Sequence, residues 1–319
     1  MHIDDFTLLD TDGLTQRHPL PPSARRQHAA KDGINGSVWA WFNPSSVVWR
    51  GQRWLTYRTE CSPRWHWSRI SLARLDNDGR VIPGSNKLLS LPTDFGKWGA
   101  EDPRLAVWND RLLLAYCDGW KTALAELDAD GRILKARIFR EKKIVESIAF
   151  DKDQREKNWG FFGTDEGLFV SYWTAPHVVF RYDERRGRLG EQWQAAWSVP
   201  AEVGQLHGGS SPVMHEGLMW RVVHSHRALE NNIHRYQLWL MAFAAKPPFK
   251  PVWFCTQPLV IAEREKTPLP EQVSHDVVFC GSAERTPEGW LIFFGENDRR
   301  IRSGVVPDAL IAPHLKRTS

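Results

Sequence analysis

The sequence predicts an all-β protein, and three observations lead to this prediction. Short runs of apolar and β-branched residues follow one another from about residue 37 onward. Explicit turn sequences separate them: Asp-Asn-Asp-Gly at 76–79, Asp-Ala-Asp-Gly at 128–131 and Glu-Arg-Arg-Gly at 184–187. Few long stretches show the 3.6-residue apolar period of an amphipathic helix.

A polar tetrad, Glu101-Asp102-Pro103-Arg104, directly precedes the strand-like run 105–108. Two carboxylates beside a guanidinium are unusual for a hydrophobic core. Pro103 is expected to hold Asp102 in extended geometry, and the neighbouring cation can keep the carboxylate ionised. An exposed turn with an ion pair is an equally good interpretation of the tetrad alone. The repetition of similar polar motifs along the chain favours a functional site.

The order of polar motif, strand, turn and strand occurs five times. The units start at residues 43, 101, 156, 207 and 275 and are therefore 51 to 68 residues apart. Units of this length with three or four short strands are typical of β-propellers, in which each unit forms one blade. We therefore predict a five-bladed β-propeller. A β-sandwich with unrelated turns would leave the common order unexplained.

The elements are predicted in chain order as follows. Residues 1–36, which contain three prolines and a basic cluster, form an irregular N-terminal arm, and residues 37–319 form the propeller. The predicted strands of the five units are 47–49, 54–58 and 70–75; 105–108, 112–116 and 122–127; 161–162, 168–173 and 177–182; 218–224 and 236–243; 277–280 and 290–295.

Composition excludes several classes of function. Hydrophobic residues make up 42% and charged residues 25%, the balance of a globular protein, and no apolar run approaches the ~20 residues of a membrane span. The acidic start Met1–Asp5 is unlike an export signal, so a cytoplasmic protein is expected. The net charge of +4 comes from dispersed arginines, which argues against a nucleic-acid partner. Four cysteines without CxxC spacing argue against a zinc site or disulfide scaffold.

Polar motifs that precede the innermost strands of a propeller converge at one end of the channel, where a ligand site is expected. Many hydrogen-bonding groups, together with some of the 17 tryptophans, suit a sugar. The predicted substrate-binding residues are Asn43, Ser45, Arg58, Arg104, Lys157, Asn158, His207, Ser210, His226, Asn297 and Asp298.

Cleavage of a glycosidic bond needs a carboxylic acid on one side and a nucleophile or base on the other. Asp102 is the first candidate for the acid, Asp276 is the candidate second carboxylate, and Glu101 supports them. If inorganic phosphate is the nucleophile, cations must hold the dianion. The candidates are Arg58, Lys157, Arg181 and His226, although a solvated blade edge explains Arg181 equally well.

No metal or organic cofactor is predicted. His224 and His226 share one face of a strand, but a metal site built from them with His207 and His275 has no short ligand spacing. Inorganic phosphate is the one co-substrate considered.

Seven motifs carry a family resemblance, and their order along the chain is its most specific part. They are Asn43-Pro44-Ser45, Tyr57-Arg58, Glu101–Arg104, Glu156–Trp159, Gly208–Ser210, Pro247–Phe249 and Gly295–Asp298. This succession resembles the mannoside phosphorylase and β-1,2-mannosidase family of glycoside hydrolases, and the related propeller mannosyltransferases. The resemblance implies a five-bladed propeller that acts on mannosides by single displacement with inversion. It also implies that Asp102 is the general acid, acting through a sugar hydroxyl.

The predicted function is therefore cleavage or formation of a β-mannoside-type bond by phosphorolysis or hydrolysis. Two alternatives remain open: a propeller glycosyltransferase with an activated sugar donor, and a carbohydrate-binding propeller without catalysis. An oligosaccharide or glycoside is the expected partner, with neither nucleic acid nor membrane. The sequence leaves homo-oligomerisation open.

Overall fold

The chain forms an all-β propeller in this computed structural model. The structure describes residues 1–18, 36–61, 68–93, 99–118, 121–139, 157–228, 234–263 and 276–318. Within them, five sheets are present: four have four strands and one has seven. The prediction of five like blades is therefore wrong in its count, because only four sheets are regular four-stranded blades and the fourth unit of the chain forms a larger sheet.

The first two sheets repeat the same plan. The first contains β2 (Ala40–Trp49), β3 (Gln52–Glu60), β4 (Ser68–Leu75) and β5 (Lys87–Leu88), and the second contains β6 (Glu101–Trp108), β7 (Arg111–Cys117), β8 (Thr122–Leu127) and β9 (Ile133–Ile138). Even their Asp-Gly turns match. The side chain of Asp76 accepts hydrogen bonds from the amides two and four residues later, and Asp128 does the same.

The third sheet is another four-stranded blade, whereas the fourth is enlarged. The third contains β10 (Gly160–Thr164), β11 (Gly167–Trp173), β12 (His177–Asp183) and β13 (Arg188–Ala195). The fourth contains β14 (Gln205–His207), β15 (Val213–His215), β16 (Leu218–Ala228), β17 (His234–Ala244), β18 (Pro251–Cys255), β19 (Val260–Ile261) and β23 (Leu315–Arg317). Its innermost position is divided between β14 and β15, which both pair with β16.

The fifth sheet combines the N-terminal strand with three strands from the last part of the chain. It contains β20 (Val278–Thr286), β21 (Gly289–Glu296), β22 (Arg300–Pro307) and, as its outer strand, β1 (Thr7–Leu8). Part of the predicted N-terminal arm thus belongs to this sheet. Phe6 packs edge-on against Phe294, and Arg302 donates a hydrogen bond to the Phe6 carbonyl. A short α-helix, α1 (Asp308–Ile311), follows β22.

Five hydrophobic clusters lie between neighbouring sheets and hold them in a ring. Four of them join the first sheet to the second, the second to the third, the third to the fourth and the fourth to the fifth. The last one joins the fifth sheet back to the first through residues such as Phe293 and Leu55. This closed arrangement places the innermost strands side by side, with β2 in contact with β6 and β20.

No helix in the described residues combines the length and apolar character required to cross a membrane.

Candidate functional site

The repeated polar motifs lie at the start of the innermost strands, as predicted, but inside β2 and β6 rather than before them. The strand pairing shifts between Phe42 and Ser45 and again between Glu101 and Arg104, which marks a bulge in each strand. Bulges of this kind turn a side chain away from the regular alternation and are common beside functional sites.

Four motifs place an Asx residue in the same unusual backbone conformation. The φ angles are +46° at Asn43, +51° at Asp102, +72° at Asn158 and +59° at Asp276. Short polar side chains tolerate this left-handed region better than other non-glycine residues do. The expectation that Pro103 keeps Asp102 extended is therefore wrong, because the bulge dictates the backbone here.

Glycines bring the innermost strands close together just below these motifs. A Cβ atom on Gly281 would lie 2.3 Å from the Pro44 carbonyl oxygen, and one on Gly208 would lie 2.0 Å from the Asn158 carbonyl oxygen. No side chain fits at such distances. We call this close approach of the inner strands at Gly208 and Gly281 the neck. The inner strands of all five sheets also line a separate cavity of about 370 Å³, whose walls are mainly apolar. It contains none of the predicted site residues.

Asp102 lies at the centre of the polar cluster. Its side chain is 3% exposed. Its Oδ1 atom accepts hydrogen bonds from Asn43 Nδ2 at 2.8 Å and from Arg58 Nη1 at 3.2 Å, while Oδ2 lies 3.5 Å from Lys157 Nζ. These partners come from the first sheet and from the start of the third, so three units of the propeller meet at one carboxylate.

The surroundings of Asp102 favour its ionised form. Burial alone would raise its pKa, but the charges of Lys157, Arg58 and Arg104 and the hydrogen bond from Asn43 hold the pKa well below its usual range. The same attraction raises the pKa of Lys157, against the opposing effect of burial. Asp102 and Lys157 therefore form an ionised pair.

Arg58 is surrounded by carboxylates. Its Nη2 atom lies 2.6 Å from Glu60 Oε1 and 3.5 Å from Glu101 Oε1, and its Nη1 atom contacts Asp102. Its Nε atom donates to Ser68 Oγ. Burial opposes the charge of Arg58, but these carboxylates raise its pKa. Its charge is thus already balanced within the protein.

Arg104 binds oxygen atoms that carry no formal charge. It donates to the backbone carbonyls of Gly209 at 2.6 Å and Asp102 at 2.9 Å, and to Asn158 Oδ1 at 2.8 Å. It is 2% exposed, and burial lowers its pKa to about 10. These contacts hold the starts of β6 and β10 and the Gly209 peptide in place. Arg104 therefore links the second unit of the propeller to the third and fourth units.

A wall of four aromatic rings on the fourth sheet faces this cluster. The ring centroid of His207 lies 5.4 Å from that of His224 and 5.0 Å from that of His226, and Tyr236 stacks on the latter two at 5.9 Å and 5.6 Å. We call these four residues the histidine wall. The pairing of β14 with β16 and of β16 with β17 puts them on one face.

The charge of Lys157 reaches the histidine wall. Burial, and secondarily the charges of His226 and Lys157, lowers the pKa of His207 to about 4. Burial also lowers the pKa of His224 well below its usual value. Both imidazoles are therefore neutral near pH 7. His207 Nε2 and His224 Nδ1 are buried and have no hydrogen-bond partner among the described residues.

The other predicted site residues differ in how directly they join the cluster. Asp298 is close enough for its charge to raise the pKa of Arg58. Asp276 is buried, its Oδ1 atom has no partner in the described part of the chain, and we find no contact between its carboxylate and Asp102 there. Asn297 accepts a hydrogen bond from the Val277 amide and so orders the backbone beside Asp276.

Three predicted residues are placed elsewhere or serve the scaffold. Ser45 Oγ donates to the Gly281 carbonyl and accepts from the Leu105 amide, so it ties three sheets together. Ser210 Oγ accepts from the Val222 amide. Arg181 is exposed and donates to the Glu166 carbonyl in the turn after β10, at the opposite end of that strand from Lys157. Glu156 and His275 lie outside the described residues.

Sequence reasoning missed Glu60 and Tyr236. Glu60 follows Arg58 by two positions and therefore lies on the same face of β3. This relation can be predicted from the sequence alone. Tyr236 joins the wall only because β17 pairs it with His226, and a register of that kind is not visible in the chain. Within the described residues, no group of three or more His, Cys, Asp or Glu side chains is arranged to hold a metal ion.

Comparison with known proteins shows a shared fold. No family model matches the sequence, and no curated protein matches it. The β-1,2-mannobiose phosphorylase of Listeria innocua is similar in structure, with a TM-score of 0.63, 14% identity and coverage of 97% of this chain and 99% of that one.

Two further solved structures have the same architecture. A mannose phosphorylase of Leishmania mexicana, MPT-4, has a TM-score of 0.52 and 14% identity over 90% of this chain and 88% of that one. A GH43_1 enzyme of Xanthomonas citri, solved with xylose, has a TM-score of 0.54 and 12% identity over 84% and 87%. At sequence identities this low, the structural similarity shows only that the propeller fold is shared. The chemistry must be argued from the residues of the site.

Proposed function

We propose that the protein is a carbohydrate-active enzyme that cleaves or forms a β-mannoside-type glycosidic bond by inverting single displacement. The observation that carries this proposal is Asp102, a buried carboxylate where three units of the propeller meet. A carboxyl group in this position suits a general acid for a departing sugar oxygen. The structural neighbours include phosphorylases of mannosides, which favours this class of substrate.

Unsatisfied polar atoms on three of the predicted site residues support a sugar as the ligand. Asn43 Oδ1, Asp276 Oδ1 and His207 Nε2 are all buried without a hydrogen-bond partner among the described residues. Burying such atoms unpaired is costly, so each requires an explanation. Sugar hydroxyls can donate to every one of them. The rings of the histidine wall offer an apolar face for the sugar ring.

Asp102 must be protonated to act as an acid, although its protein surroundings favour the ionised form. A bound sugar that separates Lys157 from Asp102 removes the first of the cations that depress the Asp102 pKa. Binding would then prepare the acid. Asp102 can transfer its proton through a sugar hydroxyl that fills the space between the carboxylate and the leaving oxygen.

Product detection with purified protein tests the proposal. We would incubate it with a panel of β-mannosides, with and without inorganic phosphate, and separately with nucleotide-sugars and mannose acceptors. Cleavage of a β-mannoside with inversion at the anomeric carbon is the expected result. Nucleotide release with no cleavage would instead support the glycosyltransferase. Tight sugar binding without any product would support a binding protein.

A further inference from the structure

The cavity of about 370 Å³ between the inner strands contains no residue of the Asp102 cluster. Each inner strand contributes residues that follow its polar motif: 46–48 of β2, 105–107 of β6, 162–163 of β10, 213–214 of β15 and 282–284 of β20. Val48, Val107 and Met214 are three of the seven large hydrophobic side chains that are exposed among the described residues, and all three line this cavity. The cavity can therefore be reached from solvent at these side chains.

The charge on the cavity walls is already neutralised. Among the described residues that line the cavity, Glu284 is the only one with a charged side chain. Arg53 donates to both of its carboxylate oxygens, at 2.5 Å and 3.1 Å. Moving an ionised group into such surroundings costs free energy unless an opposite charge pairs with it. The cavity therefore suits an uncharged ligand.

Ser211 provides a hydrogen-bonding group on the wall of the cavity. It is 5% exposed, and its Oγ atom is buried without a hydrogen-bond partner among the described residues. Ser282, which also lines the cavity, differs because its Oγ atom accepts a hydrogen bond from the Ser46 amide at 2.8 Å. A buried hydroxyl without a partner is costly, and a bound molecule with one donor or acceptor group removes that cost.

The apolar part of the walls favours an aromatic ligand. Met214 and Met219 lie directly opposite each other on β15 and β16, and both line the cavity together with Phe162. Methionine side chains adapt their shape to a ligand, and their sulfur atoms make favourable contacts with aromatic rings. An apolar cavity of about 150 Å³ is large enough to bind benzene, so a cavity of about 370 Å³ has room for a larger ring system.

We propose that this cavity is a second binding site, for an uncharged aromatic molecule of about two fused rings that carries one hydroxyl or N–H group. The rings lie among Met214, Met219 and Phe162, and the polar group forms a hydrogen bond with Ser211 Oγ. This inference does not rest on the proposed function, because the cavity and the Asp102 cluster have no residue in common.

Binding of 2-naphthol, which has two fused rings and one hydroxyl group, tests the proposal. Calorimetric titration of the full chain at pH 7 should show one site with a Kd of about 10 to 100 µM. Naphthalene lacks the hydroxyl group and should bind about 3- to 10-fold more weakly. The anion 2-naphthoate should bind at least about 10-fold more weakly than 2-naphthol. No saturable binding of 2-naphthol up to about 1 mM, or equal binding of 2-naphthoate, would overturn the proposal.

Two variants locate the bound probe. Ser211→Ala should weaken the binding of 2-naphthol about 3- to 10-fold and leave that of naphthalene unchanged. Met214→Asp places a charge at the exposed edge of the cavity and should weaken the binding of both probes at least about 10-fold.

The matched control is Leu134→Asp, which makes the same change at an exposed position of β9 outside the cavity and should bind both probes as wild type does. Thermal unfolding checks that each variant is folded. Wild-type affinity of folded Met214→Asp for 2-naphthol would show that the probe binds elsewhere and overturn the proposal. Equal weakening of both probes in Ser211→Ala would overturn the role of Ser211.

Discussion

His177 should make the stability of the propeller depend on pH. It is 1% exposed, its Nδ1 atom lies 2.8 Å from the Phe249 carbonyl oxygen and its Nε2 atom lies 3.0 Å from Ser171 Oγ. A carbonyl oxygen only accepts, so Nδ1 carries the hydrogen and Nε2 accepts from Ser171. Ser171 in turn accepts from Arg221. Protonating His177 would set a second donor against the Ser171 hydroxyl.

The magnitude follows from the pKa of His177 in the two states. Burial, with the charge of Arg221 as a lesser cause, lowers the folded-state pKa to about 3, against about 6.5 in an unfolded chain. Between these values the unfolded chain binds a proton that the folded protein does not, so stability falls as the pH falls. From pH 7 to pH 4.5 this loss amounts to about 3 kcal/mol.

Urea unfolding followed by tryptophan fluorescence at several pH values measures this effect. His177→Asn keeps a donor for the Phe249 carbonyl but cannot titrate. The variant should be less stable than wild type at pH 7, because Ser171 loses its acceptor. The difference should shrink by about 3 kcal/mol by pH 4.5. The control His2→Asn, at an exposed position, should follow wild type. A difference between wild type and His177→Asn that stays constant over this range would refute the reasoning.

Three further predictions concern the scaffold and the acid. Phe6→Ala should lower the free energy of unfolding by about 3 to 5 kcal/mol in urea, because Phe6 is buried against Phe294, whereas an exposed control on β1, Leu8→Ala, should cost about 0.5 kcal/mol or less. Gly281→Ala should cost about 1 to 3 kcal/mol in the same assay, since its Cβ would meet the Pro44 carbonyl; equal stability would contradict the crowded neck. Lys157→Met should raise the pKa of Asp102, followed by ¹³C NMR of labelled aspartate; an unchanged titration would show that Lys157 does not depress it.

Most of the fold could be predicted from the sequence, because each repeat contains the same local sequence signals. The matched Asp-Gly turns and the polar motifs recur in the same order, and most predicted strands lie within observed ones. The outermost strands were missed because they are short or largely exposed, and so lack an apolar run. β9 and β13, for example, have few buried residues. The enlarged fourth sheet depends on pairing with β23, which is distant in sequence.

The candidate site could be predicted only in part, because the sequence repeat does not fix where each side chain points. Repetition identified which motifs converge, and Asp102 does lie among Asn43, Arg58 and Lys157. It did not show which polar groups face the ligand. The hydroxyl groups of Ser45 and Ser210 instead form hydrogen bonds with backbone groups of the scaffold. The local preference imposed by Pro103 was overridden by the bulge, which places Asp102 at positive φ.

The most direct test of the proposed chemistry is the kcat/KM of Asp102→Asn on a β-mannoside that the wild type cleaves. The asparagine keeps the size of the carboxyl group and a hydrogen-bonding oxygen but cannot donate the catalytic proton. Arg181→Met, far from the cluster, is the matched control. The account predicts a fall of about 10² to 10⁴ in a folded Asp102→Asn protein and wild-type turnover in the control. Full turnover by Asp102→Asn would contradict the account.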